Sequence, residues 1–166
     1  MRAPFSLDSL LTWVVGYLVC AFLPGLMWFV LPDDVAAARF HVWEEQTVQV
    51  GQVLAWFPLA MCGAAAVTLV TGLTCGALNA ASVRVAARGD EPGASPNAVR
   101  LADTTPSLFS AVRVALMLAG IAFVILSVAL TWLSITKGDL SNEIAPIIVA
   151  LGGGAGLATG AAFYRD

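Results

Sequence analysis

"AVRVALMLAGIAFVILSVAL", residues 111–130, carries a single charge, Arg113, and shows no alternation of polar and apolar positions. As a helix, twenty residues rise about 30 Å, the thickness of a bilayer's hydrocarbon core. In lipid every backbone donor and acceptor must be satisfied within the protein, which leaves helices and closed barrels. A barrel strand is a segment of about ten residues whose two faces alternate. This run has no such period, so it reads as a spanning helix.

Three further segments repeat the pattern. No Asp, Glu, Lys, Arg or His occurs in residues 9–32 (24 residues), 46–83 (38), 114–136 (23) or 144–164 (21). Only 11% of the 166 residues are charged and 59% are hydrophobic, whereas soluble domains carry roughly 25% charged residues. The expected fold is an all-α integral membrane protein, one domain over residues 1–166. Four transmembrane helices, near 9–31, 50–78, 112–136 and 144–164, form an antiparallel bundle. Arg2 and the Ala36-Ala37-Ala38 triplet resemble a secretory signal and its cleavage site. The first apolar stretch nevertheless exceeds the roughly 7–15 residues of a signal core, and it is read as a retained helix.

Cations set the orientation. Arg2, Arg84, Arg88, Arg100, Arg113 and Arg165 fall on one side, and Arg39 and Lys137 on the other. The positive-inside rule places the first group, and both termini, in the cytoplasm. Asp33, Asp34, Glu44, Glu45, Asp139 and Glu143 make the outer loops acidic. Trp28, Trp56 and Trp132 fall near the outer interface and Trp13 and Tyr164 near the inner one, where amphipathic rings settle. The preference for Arg over Lys, with abundant Ala, Gly and Val, fits a GC-rich bacterial genome and hence a bacterial inner membrane.

Local signals punctuate the helices. Pro24-Gly25 should kink the first. In "DDVAAARFHVWEEQ" (33–46), Phe40 and Trp43 are spaced for a short amphipathic interfacial helix, against a solvated connector. The second helix continues through Arg84 and Arg88 to a stop at Gly89. "DEPGASPN" (90–97) is a loop, and Thr105-Pro106 is a cap-and-proline start for the third helix. The connection spans about 84–106, within a cytoplasmic extension of the hairpin formed by the second and third helices.

Two readings compete for "VALGGGAGLATGAAFYRD" (149–166). A dinucleotide fingerprint requires G-x-G-x-x-G, but counting from Gly152 or Gly154 ends on Leu157 or Thr159. A P-loop requires a lysine, and none follows Lys137. What does fit is Gly152-x-x-x-Gly156-x-x-x-Gly160, one helix face bare of side chains, suited to close van der Waals packing in lipid. Gly72-x-x-x-Gly76, extended by Thr68 and Ala80, offers a second such face. The two can pack together within one chain or against neighbouring chains.

Polar side chains form two further lines, Thr68, Thr71, Cys75, Asn79 and Ser82 on the second helix and Ser127, Thr131 and Ser134 on the third. Facing each other they would line a polar path. The preferred reading is that they bond back to helix carbonyls or across an interface. No ionisable residue lies in the windows, which disfavours proton-coupled transport, a titrating rotor subunit and a voltage sensor. Cys20, Cys62 and Cys75 form no C-x-x-C pair and read as small hydrophobes. His41 is the single histidine, so a bis-histidine haem site cannot be built from one chain. With Glu45, four residues on, it offers at most a weak divalent-cation pair. Neither cofactor nor metal is expected, and nothing surrounds His41 to activate a nucleophile. Arg84, Arg88, Arg100 and Arg113 read as topology anchors contacting anionic lipid or a partner, too sparse for nucleic acid. The expected function is non-catalytic: an accessory, assembly or scaffold subunit partnered by lipid, other membrane subunits or copies of itself. The alternative is a homo-oligomeric passive channel or membrane-permeabilising pore.

Overall fold

The computed structural model describes residues 7–43, 46–137 and 140–162. Helix α1 runs Leu7–Val30, the one-turn α2 Asp33–Ala36, α3 Val50–Gly89, α4 Pro96–Lys137 and α5 Leu140–Ala162; strands β1 (Arg39–Trp43) and β2 (Gln46–Gln49) form an antiparallel hairpin. Among the described residues, four helices are long and apolar enough to cross a membrane: α1, α3, α4 and the Glu143–Ala162 part of α5. At 1.5 Å per residue the 40 residues of α3 and the 42 of α4 rise about 60 Å, twice the hydrocarbon thickness. Each is therefore about twice as long as a crossing requires.

Close approaches set how the helices run. Leu10 lies against Gly72 and Trp28 against Gly51, so α1 and α3 run in opposite directions. Gly152, Gly156 and Gly160 meet Ala60, Ala64 and Thr68 in rising order, so α5 runs parallel to α3. Gly120 meets Gly154 and Ala158, and Gly154 meets Phe123 and Val124, so α4 opposes α5. Helix α3 is central, packing on α1, α4 and α5.

The interior holds small and hydroxylated side chains, with large apolar ones outside. The largest fully buried side chains are Leu10, Val48, Thr68, Cys75, Ser82 and Ser127, whereas Phe29 is 85% exposed and Phe22 67%. Water would penalise that outer surface heavily; lipid solvates it. A small apolar cluster of Val48, Leu140 and Ile147 closes the end where β2 meets α5.

Two local expectations are corrected. The segment from residue 33 is helical only over Asp33–Ala36 and then forms the hairpin, with Arg39 opposite Gln49 and Phe40 opposite Val48. Its run of Phe, Val, Trp and Thr residues suits a pleated strand better than a helix. Helix α4 starts at Pro96, with the Ser95 hydroxyl accepting from the Ala98 amide at 3.3 Å. Pro106 is thus interior, and the connection is a tight turn near 90–95, far shorter than 84–106, with Gly93 at φ +94° taking the left-handed position. Pro24 lies inside α1, which runs on past it to Val30. The expectations for Arg2, Glu44, Glu45, Asp139, Tyr164 and Arg165 lie outside the described residues.

Candidate functional site

The best-defined constellation is the seam where α5 meets α3 and α4. Residues along an α-helix advance about 100° each, so Gly152, Gly156 and Gly160 share one face and Gly154 turns away from it. The first face approaches α3. A Cβ added at Gly156 would stand 2.7 Å from the Ala64 carbonyl oxygen and 3.0 Å from Val67 Cβ. At Gly152 it would stand 2.7 Å from the Ala60 carbonyl oxygen, and at Gly160 2.8 Å from that of Thr68. Gly154 serves the other neighbour, its added Cβ lying 2.7 Å from the Gly120 carbonyl oxygen. Gly153 faces open space.

The partner of the Gly152–Gly160 ridge is thus the run Ala60, Ala64 and Thr68, with Gly72 only at its edge. Gly72 accommodates Leu10 of α1, whose Cδ1 would lie 2.6 Å from an added Cβ; Gly76 is half-buried. Gly120, Gly154, Ala60 and Ala64 are contact residues that the sequence reading did not single out. Small residues at i and i+4 (60 and 64) were the available signal for two of them.

Thr68, Ser82, Ser127, Thr131 and Ser134 in the packed region are hydrogen-bonded to backbone. Thr68 Oγ1 donates across the seam to the Gly156 carbonyl at 3.2 Å. Ser82 donates to Asn79 at 2.7 Å, Ser127 to Val124 at 2.7 Å, Thr131 to Ser127 at 2.8 Å and Ser134 to Leu130 at 2.8 Å, all within their own helices. Thr71 and Cys75 are buried and Asn79 half-buried. Tyr17 and Thr159 bridge α1 and α5 at 2.9 Å; because Thr159 Oγ1 donates to Ala155, the tyrosine is the donor.

The two hydroxyl lines do not face each other. Thr68 sits beside Gly156, level with Gly120. Ser127 and Ser134 lie 7 and 14 residues further along α4, about 10 and 21 Å away. From Thr68 the α3 line runs the opposite way, toward Gly89, which packs on Ala98 and Ala102.

Arg84, Arg88 and Arg100 are exposed on the long ends of α3 and α4. Arg113 is half-buried, within electrostatic reach of Cys75. Cys20 and Cys62 are exposed free thiols. His41 lies in β1 opposite Thr47 rather than on a helix, and Glu45, its expected partner, lies outside the described residues. Among the described residues, no group of three or more His, Cys, Asp or Glu side chains could hold a metal ion.

Thr68→Val separates seam bonding from self-bonding. Replacing a hydroxyl that crosses between helices should cost about 1 kcal/mol. Ser127→Ala, whose hydroxyl serves its own helix, should cost less. Reversible unfolding in bicelles reads both.

These features define a class: a small multi-pass helical protein whose inner surface is built from small residues. Comparison with protein families, curated proteins and solved structures finds no match that would place it more narrowly.

Proposed function

We propose that the protein is a non-catalytic subunit of the bacterial inner membrane, with both termini cytoplasmic, that assembles with or scaffolds other membrane subunits. The observation carrying this reading is the chemistry of the packed interior. Ser82, Ser127, Thr131 and Ser134 spend their hydroxyl hydrogens on their own helices, so these groups serve packing and offer little to a permeating solute. The segregation of cations supports the orientation. It makes the end formed by Gly89 and Pro96 a cytoplasmic projection of an antiparallel bundle, with Arg84, Arg88 and Arg100 displayed for anionic lipid or a partner subunit. The glycine ridge on α5 serves as a helix zipper within one chain.

The test is isolation of the full chain from its native membrane in mild detergent, followed by mass determination. A complex containing a second membrane protein in fixed stoichiometry is expected. A homo-oligomer that conducts ions when reconstituted in a planar bilayer would overturn the proposal in favour of a pore.

A further inference from the structure

A cavity of about 360 Å³ opens where the end of α1, the α2 turn, the end of β2 and the first turns of α3 meet. Its volume lies in the roughly 300–1,000 Å³ range of small-ligand sites. Trp28, Asp33, Gln49, Gln52 and Trp56 are among the residues that line it, Trp28, Asp33 and Trp56 being exposed. The Gln52 side-chain oxygen is sealed from water and has no hydrogen-bond partner. Buried acceptors are bonded in the large majority of cases; this one does not face the cavity as it stands and meets an entering donor only once the side chain turns. The terminal torsion of glutamine is broad and soft, which lets the oxygen turn toward an arriving donor.

Indole faces, a carboxylate and an unsatisfied acceptor all favour a cation, and the acceptor requires that cation to carry N–H groups. A primary ammonium meets the three demands; a trimethylammonium meets only two. The N-terminus of α3 borders the same cavity; its cap residue Gln49 makes no side-chain cap hydrogen bond, while the Val50 amide donates to the Ala38 carbonyl at 3.0 Å. A helix start of that kind favours an adjacent phosphate. Trp28 and Trp56 stand where the apolar spans of α1 and α3 give way to the polar hairpin, the level at which lipid headgroups lie.

We propose that this cavity binds the zwitterionic headgroup of phosphatidylethanolamine. The ammonium sits against Asp33, the Gln52 amide oxygen and the indoles, and the phosphate lies at the start of α3. The inference rests on the membrane crossings alone, and its failure would leave the assembly role untouched.

Native mass spectrometry of the full chain in mild detergent provides the test. Phosphatidylethanolamine, phosphatidylcholine and phosphatidylglycerol with identical acyl chains are supplied at matched concentration. The wild-type protein should retain phosphatidylethanolamine about tenfold better than phosphatidylcholine, the ratio one charge-assisted hydrogen bond supplies. Asp33→Asn and Gln52→Leu should each remove most of that preference. Equal retention of the two lipids by the wild-type protein would overturn the proposal without recourse to any variant. So would a preference for phosphatidylglycerol, or a phosphatidylethanolamine preference that survives in both folded variants. Displacement by equimolar soluble phosphoethanolamine would overturn the assignment to a lipid.

Discussion

Gly156→Leu should lower the unfolding free energy by about 3 kcal/mol, at the upper end of overpacking costs. The new side chain would meet main-chain atoms on α3: the Ala64 carbonyl oxygen 2.7 Å from the first added carbon and Ala64 Cα at 3.2 Å. Backbone cannot swing aside as a flexible side chain can, so the helices must separate. Separation would also break the hydrogen bond from Thr68 to the Gly156 carbonyl. Gly153→Leu is the matched control on the same helix, because nothing lies within 4 Å of its added Cβ. It should change stability by less than about 0.5 kcal/mol. Denaturant titration of the two variants in the same detergent compares them directly; equal stabilities would mean that α5 does not lie on α3 as described.

Gly120→Leu should be comparably damaging, by about 3 kcal/mol, through the other face of α5. Its added Cβ would fall 2.6 Å from the Ala158 amide nitrogen and 2.7 Å from the Gly154 carbonyl oxygen. Both atoms belong to helical backbone, so again no rotamer change relieves the overlap. Because Gly120 opposes the α4 side of α5 and Gly156 the α3 side, the two substitutions break different seams. A cysteine pair across α3 and α5 should still crosslink in Gly120→Leu while failing in Gly156→Leu. Loss of crosslinking in both would show that the three helices separate as one unit.

How much of this was legible beforehand depends on which interaction sets each feature. The four crossing segments follow from the absence of charge, since desolvating ionised side chains excludes them from hydrocarbon wherever they occur. Their outer limits are less constrained. Ser95-Pro96 and Thr105-Pro106 offer the same start signal, and nothing local ranks one above the other. Packing of Gly89 against Ala98 and Ala102 accompanies the longer helix. In the outer segment, the spacing of Phe40 and Trp43 suits a helix, but strand pairing from Arg39 to Gln49 prevails. The glycine ridge identified a face of α5 without its axial offset. Ala60 and Ala64 are small enough to receive Gly152 and Gly156, while Leu10 fills the notch at Gly72; that choice depends on α1, more than forty residues away in the chain. Gly154 escaped notice because it lies two residues off the ridge and serves a different neighbour.

The central claim is that lipid surrounds four crossings, with the β-hairpin and the α3–α4 turn on opposite sides. Single cysteines at Thr47 and at Ser95, in a chain with Cys20, Cys62 and Cys75 changed to alanine, test it through a membrane-impermeant maleimide applied to intact cells. Thr47→Cys should react in intact cells, and Ser95→Cys only after the membrane is opened. Labelling of both sites from the same side, or recovery of the chain in the soluble fraction after lysis, would contradict it.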